Sequence, residues 1–159
     1  MAVRTKTAKY VMDSSSWARI DEMSDNNHVW SAIEPLISAG LIVPPVEVWD
    51  ELEKNTGIIN GLRLYREQIV IDMSTEIDYL LRVGRIALDH PAMSGSRLAR
   101  NRADPYVIAM AEHFGLTVVA DETTARRPNR KIPGVCAIRS TPCIDLIQLL
   151  RREDPEGGW

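Results

Sequence analysis

The sequence predicts an α/β fold, a three-layer α/β/α arrangement around a short parallel central sheet. Three observations predict it. Short apolar runs recur at Tyr10-Val11-Met12, Leu41-Ile42-Val43 and Leu116–Ala120, the signature of strands buried on both faces. Segments with helical spacing of apolar residues lie between them. The chain has 159 residues, 45% apolar and 26% charged, which suits one globular domain spanning residues 1–159.

Each element has its own warrant. Tyr10-Val11-Met12 runs into Asp13 and three serines, residues that favour turns and helix caps. From His28 to Ala39 the apolar positions Val29, Ile33, Leu36 and Ile37 share a helical face. Pro35 is expected to weaken or restart that helix, and Gly40 to stop it. After the second strand, Pro44-Pro45 opens a helix reaching about Lys54. Ile58 to His90 reads as largely helical, with Gly61 and Gly84 as interruptions and Leu80 and Leu81 among its apolar positions. Ala92 to Asn101 is small, polar and basic, and reads as a loop or short turn. Asp104-Pro105 predicts a capped helix through Phe114, closed by Gly115. Leu116 to Ala120 is the strongest strand. A loop from Thr123 to Pro133 is expected next, then a strand at Val135 to Ile138 and a final helix from Pro142 to Arg152. Trp17, Trp30 and Trp49 are expected to pack in the core or an interface, and Trp159 to fray.

Composition excludes several classes. No apolar run reaches the ~20 residues of a membrane span. The basic start is not followed by an apolar stretch, so a secretory leader is not expected, and a cytoplasmic protein is. Cys136 and Cys143 match neither a zinc knuckle nor a redox motif and read as buried reduced thiols. His28, His90 and His113 are scattered, which disfavours a histidine-based site. The net charge of -3 speaks against a general nucleic-acid binder. Yet the windows Gly95–Arg102 and Arg126–Arg139 hold 8 of the 19 bases and no acid. Such windows are either solvated loops or a phosphate-binding rim.

The acids carry the chemistry. Asp13 directly follows the first strand, and Asp121 and Glu122 follow the strongest one. Asp104 starts a helix, and Glu51 sits on the helix after the second strand, with Glu47 one turn earlier. Sites in doubly wound sheets form outside the carboxyl ends of the strands, so these carboxylates converge on one edge. A hard divalent cation, Mg²⁺ or Mn²⁺, would offset their repulsion. Each acid also has a plain structural use: Asp13 and Asp104 as helix caps, Glu47 and Glu51 as solvated residues, Asp121 as a turn residue.

The order of these segments resembles the PIN-domain nucleases, which include many toxin ribonucleases of toxin–antitoxin systems. The resemblance rests on Tyr10-Val11-Met12-Asp13-Ser14-Ser15-Ser16, Val48-Trp49-Asp50-Glu51-Leu52, Ala103-Asp104-Pro105-Tyr106 and Val118-Val119-Ala120-Asp121-Glu122. It continues through Lys131-Ile132-Pro133-Gly134 and Pro142-Cys143-Ile144-Asp145, and so covers nearly the whole chain. It implies a PIN-like fold, with Asp13, Glu51 and Asp104 as catalytic and metal-holding acids. The fourth acid is Glu122 by spacing, or Asp121 if the register shifts by one. Where the family pattern has a hydroxyl residue, this chain has Ala120; Ser15, Thr123 or Thr124 would have to supply it.

The resemblance further implies Mg²⁺- or Mn²⁺-dependent hydrolysis of RNA, a cognate antitoxin, and self-association as a homodimer. Arg97, Arg100, Arg102, Arg126, Arg127, Arg130 and Lys131 flank the acids and would hold the RNA backbone. Two alternatives stand beside it. One is a catalytically inactive PIN-like module that binds RNA or protein. The other is an Asp-based phosphotransfer protein using Asp13 as nucleophile.

Overall fold

A computed structural model of the chain describes residues 7–23, 26–55, 57–94, 103–122 and 130–159. Arg97, Arg100, Arg102, Arg126, Arg127, Thr123 and Thr124 lie outside the described residues.

Four parallel strands form the sheet: β1 (Tyr10–Met12), β2 (Ile42–Val43), β3 (Thr117–Val119) and β4 (Cys143–Ile144). Their spatial order is β2-β1-β3-β4. Tyr10, Val11 and Met12 pair with Thr117, Val118 and Val119, and Val11 also pairs with Val43. The strands are short because each needs only to cross a core covered on both faces, and Val11, Met12, Val118 and Val119 are fully buried.

The helices are α1 (Ser14–Glu22), α2 (Asn26–Ser38), α3 (Val46–Asn55), α4 (Ile59–Leu62), α5 (Arg66–Ile69), α6 (Ile77–Asp89), α7 (Pro91–Ser94), α8 (Asp104–Phe114), α9 (Ile132–Arg139) and α10 (Leu146–Glu153). A 3₁₀ turn at Arg63–Tyr65 joins α4 to α5. From β1 the chain moves outward to β2, then crosses back past β1 to β3 and on to β4. Right-handed crossovers put the connections of these opposite movements on opposite faces of the sheet. Accordingly α2 meets β2, while α8 lies against β1 and β3 and touches α9. Trp17 on α1 and Trp49 on α3 are fully buried. Among the described residues no helix is long and apolar enough to cross a membrane.

Several expectations fail for physical reasons. Residues 135–138 are not a strand; they belong to α9, with Pro133 in its first turn and Ile132, Val135 and Cys136 on its buried side. That spacing is helical, and the fourth strand comes later, at Cys143–Ile144. The last helix starts after that strand rather than at Pro142. Asp145 caps it, accepting from the Gln148 N–H while Gln148 Oε1 accepts from the Asp145 N–H. Pro35 sits inside α2 without ending it, and Gly84 sits inside α6. Leu80 and Leu81 are exposed on α6 rather than part of the core. Trp159 does not fray: its ring stacks on His28 at 4.3 Å and its Nε1 donates to Asp154 Oδ2.

The capping box is the local determinant that separates β4 from α10. Asp145→Ala is expected to lower stability by about 1 kcal/mol, read as a lower urea midpoint with an unchanged slope.

Candidate functional site

The strand order reverses at the β1/β3 boundary, and the crevice beyond their carboxyl ends is where such sheets bind ligands. Asp13 follows β1 and is fixed there by backbone. Its N–H donates to Val119 O at 2.9 Å, and its own carbonyl accepts from Ser16 and Trp17 as α1 begins. Asp13 is therefore both the N-cap of α1 and a floor of the crevice. It is 1% exposed; Oδ2 accepts from Ser15 Oγ at 2.7 Å, whereas Oδ1 has no hydrogen-bond partner among the described residues.

Asp104 was expected to cap α8. It does not: the cap position is Ala103, and Asp104 is the first helical residue, with Pro105 beside it in the first turn. It is 3% exposed, and its Oδ2 is also without a partner among the described residues. Glu51 reaches in from α3, accepting from Ser14 Oγ at 2.8 Å and from the Ala103 N–H at 3.4 Å. Glu122 accepts from the Ile132 N–H at the start of α9, and Lys131 Nζ lies 3.9 Å from it.

These four carboxylates feel one another. Burial pushes Asp104 up to about 9, reinforced by the charges of Asp13, Glu122 and Glu51 and relieved a little by Lys131. Asp13, Glu51 and Glu122 are likewise raised, by burial first; Glu51 is raised further by Asp13 and Glu122, Glu122 by Asp13, and Asp13 by Asp121.

Asp121 is placed differently. Oδ2 accepts from Ser16 Oγ and from the Leu146 N–H at 3.1 Å, and Arg19 Nε lies 3.3 Å from Oδ1. Its carboxylate is committed to tying α1 to α10. Glu122, not Asp121, is the acid coupled to both Asp13 and Asp104. Ser15 Oγ also accepts from the Asp121 N–H, so one hydroxyl bridges the ends of β1 and β3. Ala120, where a hydroxyl was sought, is buried.

Ser14 and Ser16 were not singled out from the sequence. The signal was there: three serines in the first turn of α1, each of which bonds a different carboxylate. Of the basic residues expected at the rim, Lys131 touches the acids and Arg130 is exposed beside it. Arg139, from the same window, faces elsewhere, gripping Glu112 and Asp89. Glu47 is half-buried with Asp72 and Asp50 as its charged neighbours.

The donor chemistry fits a hard divalent cation: carboxylate oxygens, two of them orphaned and buried, in a region of excess negative charge. Among the described residues no three Asp, Glu, His or Cys side chains are gathered closely enough to hold an ion as they stand. Side-chain rotation would have to close the set.

The sheet order and helical layers define the class: an α/β protein of PIN-like fold. The chain is similar to one from the crystal structure of VapBC2 from Rickettsia felis bound to a DNA fragment from its promoter, with a TM-score of 0.52 and 14% identity, covering 86% of this chain and 97% of that one. At that identity the likeness speaks for the fold alone. Residues 10–156 match the family described as "Domain of unknown function (DUF4411)", and the chain belongs to that family. No curated protein matches it.

Two measurements follow. Folded Asp104 keeps its proton up to about 9, whereas the unfolded carboxyl releases it near 3.8, so between these values the folded state binds more protons. Stability of the metal-free chain then falls as pH rises through that window. Urea midpoints at mildly acidic and mildly alkaline pH should show this fall, and Asp104→Asn should flatten it; an unchanged slope would contradict the burial argument. The adjacent acids should also separate cleanly. Asp121→Ala should cost about 2–3 kcal/mol by stranding its donors, while Glu122→Gln should leave the metal-free fold as stable or more so.

Proposed function

We propose that the chain is a metal-dependent endoribonuclease hydrolysing RNA phosphodiester bonds, the toxin of a toxin–antitoxin pair. One observation carries the reading: four carboxyl groups from four segments crowd one crevice and raise one another's hold on protons, and among the described residues Asp13 and Asp104 each keep an oxygen without a partner. A protein accepts such a desolvation cost for function.

Asp13, Glu51, Asp104 and Glu122 would hold Mg²⁺ or Mn²⁺. Bound there, the ion supplies charge that offsets the acids, a more acidic water, and stabilisation of the scissile phosphate. The chain's own residues do the positioning. Ser14 donates to Glu51 and Ser15 to Asp13, which would guide these two carboxylates as the set closes on the ion. Lys131, at the lip beside Glu122, would meet the phosphate backbone, with Arg130 extending the positive edge. Arg97, Arg100, Arg102, Arg126 and Arg127 are assigned to the same rim from sequence position. The toxin assignment follows the resemblance of the motifs. The likeness to a chain of VapBC2 bound to promoter DNA supports a protein partner, read here as the antitoxin.

Cleavage of RNA in Mg²⁺ or Mn²⁺ tests the reading. Wild type should cleave, a chelator should stop it, and Asp13→Asn and Asp104→Asn should each lose at least roughly a hundredfold. Equal cleavage by all three proteins would sink the site. A second reading, a binding module without turnover, is favoured by Ala120 in place of the family's hydroxyl. Calorimetry discriminates: no uptake of Mn²⁺ at millimolar concentration would favour the module.

A further inference from the structure

The fold brings the chain's two cysteines together. Cys136 lies on the buried side of α9, and Cys143 opens β4. Between them the chain reverses tightly. Ser140 ends α9 in the left-handed region at φ 57°, and the Thr141 N–H returns to Cys136 O at 2.9 Å. Pro142 O then accepts from the Val118 N–H at 2.8 Å, and Cys143 pairs with Val118 in the sheet. One end of the connection is thus fixed on the helix and the other on the sheet. Held this way, the Cys136 thiol donates a hydrogen bond to the Cys143 sulfur. A cysteine used only as a small apolar filler needs no second sulfur against it.

The two sulfurs are not equivalent. Cys136 is 0% exposed, whereas Cys143 is only partly buried. The bond from Cys136 holds the Cys143 thiol below its ordinary value, against burial and the charges of Asp13, Asp121 and Glu122. The same bond raises Cys136, with burial, Cys143 and Glu112 adding to it and Arg139 opposing. The more accessible sulfur is therefore also the readier nucleophile, and its sheltered neighbour keeps the proton.

We propose that Cys136 and Cys143 form a redox-active dithiol that closes to a disulfide by exchange with a low-molecular-weight disulfide, with Cys143 attacking and Cys136 resolving. The Cys143 thiolate bonds to one sulfur of the small disulfide; that S–S bond breaks, and the first small thiol leaves with the proton Cys143 gave up. Cys136 then loses its proton and bonds to the Cys143 sulfur, releasing the second small thiol. Two protein thiols are oxidised and one small disulfide is reduced to two thiols. The new bond would fasten α9 to β4. The segment carrying Glu122 is held by these same two elements: Ile132, one turn before Cys136, donates its N–H to Glu122, and Ile144 O accepts from the Ala120 N–H.

The full chain, reduced and kept free of oxygen, is equilibrated with mixtures of oxidised and reduced glutathione, quenched in acid and weighed by mass spectrometry. Wild type should lose the mass of two hydrogen atoms, yield a peptide pair linked at Cys136 and Cys143, and regain the mass in dithiothreitol. The equilibrium constant for closing should be at least roughly tenfold larger in the folded chain than in urea, since the fold holds the thiols in contact. Cys136→Ala should stop at a mixed disulfide between Cys143 and glutathione, and Cys143→Ala should react at least roughly tenfold more slowly, with circular dichroism verifying that both fold. A folded wild type that stays reduced or stops at the mixed disulfide overturns the proposal, as does a constant no larger than in urea. Equal rates for the two variants overturn the order of attack. No readout involves RNA, so the outcome is separate from the fate of the nuclease reading.

Discussion

Like charge buried at the carboxyl ends of β1 and β3 is the constraint around which the molecule is arranged. The pairing of Met12 with Val119 fixes it. Because the Asp13 N–H donates to Val119 O, Asp13 continues the ladder one step and sits level with the end of β3. The Ala120 N–H in turn donates to Ile144 O, so β4 holds the segment that carries Asp121 and Glu122. Sheet register, not side-chain choice, therefore sets the distance between the first acid and the last. A slip of one residue would turn the carboxylates into the core or out to solvent.

The cost of that arrangement is offset locally by the first turn of α1. Three serines there divide the work: Ser14 satisfies Glu51, Ser15 satisfies Asp13, and Ser16 satisfies Asp121. Hydroxyls are suited to it, since each donates to a carboxylate while adding no charge of its own. Asp121 is then neutralised by Arg19 and the Leu146 N–H. What remains is the set Asp13, Glu51, Asp104 and Glu122, with Lys131 the cation among the described residues that relieves Asp104 and Glu122. The surplus is confined to the crevice, as expected of a region kept for a ligand rather than for stability.

The α/β class, three of four strands and the converging acids were legible because each leaves a local mark: an apolar run ending in Asp, or Asp-Pro before a helix. The failures share a different character. Val135-Cys136-Ala137-Ile138 is apolar and rich in β-branched residues, and a run that short carries no reliable period; Pro133 was the better guide, as a first-turn residue. Asp104 looked like a cap because Asp usually is one, yet a cap makes its bond to the helix, and here the carboxylate is withheld from it. Asp121 and Glu122 could not be separated from sequence, since what commits Asp121 is contact with Ser16 and Leu146, far away in the chain. Trp159 owes its place to His28 in the same way.

Helix α6 packs against α8, the helix that carries Asp104. Its inner side positions α8: Tyr79 is buried and its hydroxyl donates to Tyr106 O, two residues from Asp104. Arg82 and Arg139 close on Glu112 from either side, pinning α6 and α9 to the far turn of α8. The inner side is thus needed to hold Asp104 against its own repulsion. A helix that served only as a brace would present polar residues on its outer side. On α6, Ile77, Leu81 and Leu88 instead stay in contact with water, which is unfavourable for apolar side chains.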